Sequence, residues 1–458
     1  MSAEAAHGNT ASVLEAFNSF SRRVNLVVAV DHSGRAGNGF FLAIFDQHPQ
    51  VLTCPWMHYI YSYIETEFGD AAVLDSTLVH AFLTTRSYFR FIYLEPNELR
   101  KREITKFGGD PDAPLDREVV RKAFDEIFSS SPTISRHDAV LSMYFVLALG
   151  LKRSVEAVRL VLVADSISLR TESAYSSFSG CVLDRVIVDF PEARIVQLVR
   201  DPRAAFASTN HQFVNSSGNM YGLHWGNYWD SISRLIAGRF DWERVFVFGF
   251  LLVYFREAYV SVERAAKRYS AHVLRVRNED LNLNFQSTMQ QLCNWLGVVA
   301  VPSWTQPDYV PTMLGRPWTG TGAYNSTYQT KKYGPLRNDP DTVARQVTGP
   351  NQYVTRRWRS RLAPNEVLLI EWTLRDELAQ YGYEFVQLDP SCPDASQLAL
   401  QLAKPLRGEL PTLRWILDGR HGNLGEVADR AFFAVTFLPF YIGARLQLWL
   451  WLRGLHRK

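Results

Sequence analysis

Short, wholly apolar runs along this chain alternate with longer stretches in which apolar residues recur at helical spacing. "NLVVAV", Asn25–Val30, is β-branched and continuous, the pattern of a strand buried on both faces of a parallel sheet. Val51–Cys54, Arg159–Asp165 and Ala193–Pro202 repeat it, as does "HVLRVRNEDL", His272–Leu281, a strand running into a loop. Between these runs, "GFFLAIFDQHP" reads as a helix closed by Pro49. Ser287–Gly297 reads as an amphipathic helix with a glycine stop, and Ala363–Phe385 as another that opens on "APNE" with an early acid. Residues from about Tyr59 to Leu151 are helical in pattern, broken by "GGDPDAP" at Gly108–Pro114. Strands alternating with helices predict an α/β fold with a parallel sheet and crossover helices.

Composition narrows this only slightly. With 47% hydrophobic and 21% charged residues the 458-residue chain can build a large core. A net charge of +3 is too balanced for nucleic-acid binding through bulk field, so no nucleic-acid partner is expected. The cysteines Cys54, Cys181, Cys293 and Cys392 form no C-x-x-C pair, which points away from zinc and disulfides and toward a reducing compartment. The first residues carry no basic segment followed by an apolar stretch, so no secretory signal is expected. The other end is different. Ala431–Leu452 is nearly continuous apolar sequence interrupted by Arg445 and Gln447, with Pro439 inside it and "RGLHRK" after it. A helix packed on the protein or on a partner chain accounts for it. A membrane-surface anchor with interfacial tryptophans accounts for it better, and a full span less well than either. The expected localisation is therefore cytoplasmic, peripheral or anchored at the cytoplasmic membrane face.

Two stretches carry candidate chemistry. "HSGRAGNGFF", His32–Phe41, follows the first strand and has the G-x-x-x-x-G spacing of a phosphate loop, with Phe40 and Phe41 where that motif needs Lys and Ser/Thr. Its glycines permit a tight turn, the helix starting near Asn38 offers free N–H groups, and Arg35 adds a bidentate cation. A glycine-rich turn with no ligand explains the glycines equally well. "FPEARIVQLVRDPRAAFAS", Phe190–Ser208, places Arg200 at the end of a strand and Ser208 in the next helix, at the rim where α/β folds bind ligands. Taken alone, "RDPR" is more commonly a salt-bridged turn.

Together the two stretches resemble the sulfotransferases that use 3′-phosphoadenosine 5′-phosphosulfate, particularly the bacterial and carbohydrate-type branch. "GRAGNGFFLAIFDQHPQV" is similar to that family's R-[SA]-G-[ST]-x-[FL]…HP loop, and "FPEARIVQLVRDPRAAFAS" to its F-P-x-A-[KR]-x-[IV]-x-L-V-R-D-P-R…S segment. "RVRNEDL" resembles its R-Y-E-D-L, "PTMLGRPWTGTGAYNS" its G-R-x-W-x-G-N-S covering loop, and "RRWRSRLAPNEVLLIEWTLRDELAQYGYEF" its closing helix. The resemblance spans residues 24–386. It implies a sulfotransferase domain with a P-loop-like sheet over 24–386, which leaves a lead-in over 1–23 before it and, after it, a C-terminal hydrophobic helical extension over 387–458 that holds the apolar stretch at about 431–452. It also implies that Arg35, Ala36, Gly37, Asn38, Gly39 and Phe40 hold the 5′ end of the donor nucleotide. Arg200 and Ser208 would grip the 3′-phosphate, Trp318 would cover the nucleotide, and Arg316 would add charge. A sulfuryl group has no β,γ-bridging magnesium, so the missing Lys and hydroxyl are not needed and no metal is expected.

The implied reaction is in-line transfer of a sulfuryl group to a hydroxyl, which needs positioning, charge stabilisation and a base. Many carbohydrate-type members carry a Glu shortly after the second strand; here Trp56 stands near that place. His58, two residues on, is the first candidate base and Glu65 the second, although a hydrogen-bonded residue in a helix's first turn accounts for His58 nearly as well. His48, at a helix end before Pro49, reads as structural. The acceptor would be a glycan, glycolipid or other lipid, the apolar tail favouring a membrane-associated one. A nucleotide-dependent P-loop kinase is the alternative, opposed by the missing lysine. A non-catalytic nucleotide-binding or membrane-scaffold member of the fold is another, kept open by the missing Glu.

Overall fold

The computed structural model describes residues 12–32, 35–54, 64, 67–86, 89–94, 110, 112, 114–166, 181–217, 247–318, 350–389 and 395–406, with scattered positions between 427 and 454. Its centre is a five-stranded sheet made of β1 Asn25–Asp31, β2 Val51–Thr53, β5 Leu160–Ser166, β6 Arg194–Val199 and β7 Val273–Arg277. Across the sheet their order is β2-β5-β1-β6-β7. Every pairing in it is parallel. Leu26–Asp31 of β1 and Ile195–Val199 of β6 are buried throughout, as strands covered on both faces must be. Helices flank the sheet, so the α/β fold expected from the alternating pattern is the fold observed.

The strand order has one functional consequence. From β1 the chain passes through the helix Asn38–Phe45 to β2 on one side, returns to β5, and then crosses to β6 on the other side of β1. Loops leaving β1 and β6 therefore part in opposite directions, which opens a crevice at the carboxyl ends of these two strands.

Three local readings differ from the expectation. "NEDL" after β7 is a helix, Asn278–Leu283, rather than a loop; Glu279 and Asp280 lie in its first turn, where they favour the helix dipole. Ala363–Phe385 is two helices, Pro364–Thr373 and Arg375–Gln380. The first is buried on every side from Asn365 to Thr373, not amphipathic. It packs among the helices Pro202–Ser217, Val247–Arg268 and Ala395–Ala403. Thr373 Oγ1 donates to Leu369 O at 2.7 Å, a back-bond that loosens a helix end. Finally, the region read as helical contains an antiparallel pair, β3 Val73–Asp75 with β4 Thr133–Ser135. Each strand ends on the N-cap of the following helix, Asp75 accepting from Leu78 N and Ser135 from Asp138 N. Three residues are too few to show strand alternation.

A buried ionic cluster fastens the closing helix to the end of β6. Arg203 donates to both Asp201 carboxylate oxygens, to Glu371 Oε1 at 2.6 Å and to Glu384 O at 2.8 Å, and it lies 4.5 Å over the Trp358 ring. Glu371, fully buried, also accepts from the N–H groups of Val386, Gln387 and Leu388. The tail expected over 431–452 lies mostly outside the described residues. Within it Leu448 and Leu452 are buried in the same apolar cluster as Trp358 and Trp372, and among the described residues no helix is long and apolar enough to cross a membrane. Because Glu371 answers one cation and three N–H groups, Glu371→Ala should lower unfolding free energy by about 3 kcal/mol or more, read by urea denaturation.

Candidate functional site

The crevice at β1 and β6 is lined by residues from both motifs. After β1 the chain turns through the loop and enters the helix Asn38–Phe45, whose N-cap, Gly37, has φ 110°. That left-handed conformation suits glycine. Space imposes the same requirement, since a Cβ there would meet Asn278 Nδ2 at 2.2 Å. Gly37 has no side chain with which to cap this helix start, and a helix N-terminus presents N–H groups and a positive dipole end. Asp31, buried at the end of β1, accepts from Ala36 N at 3.3 Å and closes the turn.

The second motif meets this loop directly. Arg200 Nη1 donates to Arg35 O at 2.7 Å, and Nη2 to Val354 O at 3.3 Å. Arg35 Nε donates to Ser208 Oγ at 3.1 Å. Arg35, Arg200 and Ser208, far apart in sequence, thus form one group of two guanidinium forks and a hydroxyl beside a helix N-terminus. This set can bind a multiply charged anion or a pair of anions. The salt-bridged turn weighed for "RDPR" is also present, but it belongs to Asp201 and Arg203, which leaves Arg200 turned toward the loop.

A third element was not assigned roles from sequence. Asn278 and Glu279 begin the helix that follows β7, so β1, β6 and β7 all deliver polar residues to the same end of the sheet. Glu279 Oε1 accepts from Asp201 N at 3.0 Å, and its Oε2 from Tyr383 Oη at 2.8 Å. Burial, reinforced by the Asp201 charge, pushes the Glu279 carboxyl up, against its hydrogen bonds and Arg200. Asn282 Nδ2 donates to Asn278 O at 2.7 Å, and Asn282 Oδ1 accepts from Asn351 N at 3.0 Å. The segment that gives Val354 O to Arg200 is held by this relay. The available signal was "NED" at the end of an apolar run, a polar cluster at a strand's carboxyl end.

The remaining cofactor candidates sit on and beside a hairpin. β8 Thr312–Met313 pairs antiparallel with β9 Arg316–Pro317 through Leu314 (φ 54°) and Gly315 (φ 74°). Positive φ is costly for a leucine. Asp46 offsets it by accepting from Leu314 N at 3.1 Å, Gly315 N at 2.8 Å and Thr312 Oγ1 at 2.8 Å. Asp46 follows the helix Asn38–Phe45, so the hairpin is tied to the phosphate-loop helix. Trp318 is buried next to it, 5.6 Å from the Phe40 ring. Arg316 is exposed, and its Nε lies 3.8 Å from Asp110 Oδ2. His58 and Glu65 lie outside the described residues. His48 is structural, as its position suggested: Nε2 bonds Val299 O at 2.8 Å and Nδ1 accepts from Gln50 N.

Behind the loop lies His32, the residue after β1, stacked on Tyr259 with ring centroids 4.0 Å apart. Its Nε2 is 3.1 Å from Tyr381 Oη and 4.0 Å from Glu263 Oε1. Glu263 in turn accepts from Gln197, Arg275 and Tyr381. Burial lowers the His32 pKa to about 3, aided by the Arg275 charge and opposed by Glu263 and the Leu198 carbonyl. The imidazole is therefore neutral at pH 7.

The model of the sulfotransferase family matches residues 76–302. Among solved structures, the sulfotransferase domain from the curacin biosynthetic pathway is similar at 15% identity and TM-score 0.42, covering 80% of this chain and 100% of that one. The sulfotransferase domain of the Synechococcus PCC 7002 olefin synthase gives 14% identity and TM-score 0.41, covering 80% and 97%. Sulfotransferase STF9 from Mycobacterium avium gives 13% identity and TM-score 0.31, covering 79% and 78%. No curated protein matches the sequence.

His32 sets an acid limit on stability. Its folded pKa of about 3 lies below the ordinary 6.5. Its contribution is complete above pH 6.5 and is lost as pH falls toward 3, at about 1.4 kcal/mol per pH unit. Urea melts at stepped pH should show this slope flattened by that amount in His32→Gln relative to the intact protein.

Proposed function

The chain belongs to the sulfotransferase family, and on that premise we propose that it transfers a sulfuryl group from 3′-phosphoadenosine 5′-phosphosulfate to a hydroxyl of a glycan, glycolipid or lipid. The observation that carries this reading is the meeting of Arg35, Arg200 and Ser208 at the carboxyl ends of β1 and β6. A nucleoside triphosphate presents one phosphate chain. The proposed donor presents two separate anionic groups, and two anion-binding features converge here. The donor supplies the sulfuryl group; the protein's tasks are to hold, shield and deprotonate.

Holding falls to the loop and the second motif. The N–H groups at the start of the helix Asn38–Phe45 face the 5′ side, with Arg35, Ala36, Gly37, Asn38, Gly39 and Phe40 forming the cradle. Arg200 and Ser208 take the 3′-phosphate, and the Arg35 side chain, now on Ser208, spans the two. Phe40 and Phe41 are buried helix residues, so the positions that hold Lys and Ser/Thr in a triphosphate loop contribute packing here. Shielding falls to Trp318, packed on Phe40, with the exposed Arg316 beside it. Deprotonation of the acceptor falls to His58, with Glu65 as the second candidate; a neutral imidazole at pH 7 suits that task.

Calorimetry with 3′,5′-ADP tests the binding half. The intact protein should bind it without magnesium, and Arg200→Ala should weaken binding about thirtyfold, the loss of one charge-assisted fork. Binding of ATP that requires magnesium, with none of 3′,5′-ADP, would instead support a kinase. For the chemical half, His58→Ala should reduce transfer of radiolabelled sulfate into fractionated membrane lipids and glycans by about a hundredfold or more while 3′,5′-ADP binding stays intact. Transfer within a few-fold of the intact protein would move the role to Glu65.

A further inference from the structure

The C-terminal segment has two unlike faces. Leu448 and Leu452 are buried, Trp372 Nε1 donates to Leu452 O at 3.3 Å, and Arg445 donates to the Leu402 and Lys404 carbonyls. Three anchors therefore fix one side of this helical segment to the body. On its other side Ile442, Leu446 and Leu450 recur every four residues, and each is more than half exposed. Val435, further back, is exposed as well. Aliphatic side chains at that spacing share one helix face, and a fixed helix that turns such a stripe to solvent marks an interaction surface.

Charge decides among the occupants. From Ala431 to Lys458 the chain has no Asp or Glu but carries Arg445, Arg453, Arg457 and Lys458, although the whole chain is only +3. Arg445 is held by backbone carbonyls; the other three cations follow Leu450 in the sequence, and the Arg453 guanidinium lies 4.7 Å over the Trp449 ring. A second copy of this chain would bring the same cations against themselves. An anionic lipid surface complements both features, apolar area for the stripe and headgroup charge for the cations. A full span would have to draw Arg445 off its carbonyls and into hydrocarbon.

We propose that the C-terminal helical segment docks the protein flat on an anionic membrane surface, through Ile442, Leu446 and Leu450 with the cations at its end. This does not depend on the catalytic reading and is read by different measurements. The full chain should float with vesicles of phosphatidylcholine and phosphatidylglycerol and far less with phosphatidylcholine alone, and added salt should release it. The triple variant Ile442→Gln, Leu446→Gln, Leu450→Gln should bind the anionic vesicles at least about tenfold more weakly. Its thermal melt and 3′,5′-ADP binding should match those of the parent, because the three positions are exposed. If the triple variant does not fold, Arg457→Gln with Lys458→Gln carries the test and should weaken binding severalfold at low salt. The proposal is overturned if the full chain does not bind anionic vesicles at low salt, or if a folded variant binds them as the parent does. Light scattering that finds a dimer in the parent and a monomer in the triple variant would also overturn it, by assigning the stripe to a second copy.

Discussion

Arg200 stands where β6 leaves the sheet, and its guanidinium donates to carbonyls of two segments, Arg35 O from the loop after β1 and Val354 O from the stretch before the closing helices. The arrangement of the crevice depends on this one side chain. It sets how closely the loop approaches the second motif, and so brings the Arg35 side chain to Ser208. A planar donor fork serves this better than an ammonium, because its N–H directions are fixed. Parallel pairing of β1 with β6, in which Asp31 faces Leu198, brings the two strand ends level, so that one arginine reaches across.

Around Arg200 the frame is polar and buried. Asp201 and Arg203 belong to the same turn but point away from the crevice, into the cluster with Glu371. Glu279 takes the Asp201 N–H on its other side and holds Tyr383. Such groups are costly to bury without partners; here each is answered by several, which ties β6, β7 and the closing helices to one geometry. The C-terminal segment is anchored through the same apolar cluster, which contains Trp358 over Arg203 as well as Leu448 and Leu452. The C-terminal segment and the end of β6 thus belong to one packed unit.

Most of the sheet was legible from the chain. β1, β2, β5 and β6 are short, apolar runs because strands covered on both faces admit little else. Asn278–Leu283 was not legible as a helix, since Asn and Asp are as common in loops as in first turns. β3 and β4 hide for a different reason: three residues each cannot show a period, and their pairing joins segments nearly sixty residues apart. Pro364–Thr373 carries buried acids, Glu366 and Glu371, and charged positions are ordinarily taken for a solvent face.

The sequence by itself determined the element order, the glycine at 37, the two glycine- and arginine-bearing motifs and the basic, acid-free stretch after Ala431, because each is written in adjacent residues. Only the tertiary structure decided that Arg200, not Arg203, faces the loop, because Glu371 claims Arg203 from a helix far along the chain. It also decided that Asn278 packs on Gly37, that Asp46 holds a leucine at positive φ, and that Arg445 is spent on backbone carbonyls while Ile442, Leu446 and Leu450 face outward. Local pattern specifies which side chains are available; the partner that neutralises a charge or covers an apolar face comes from elsewhere in the chain, and that pairing exists only once the chain has folded.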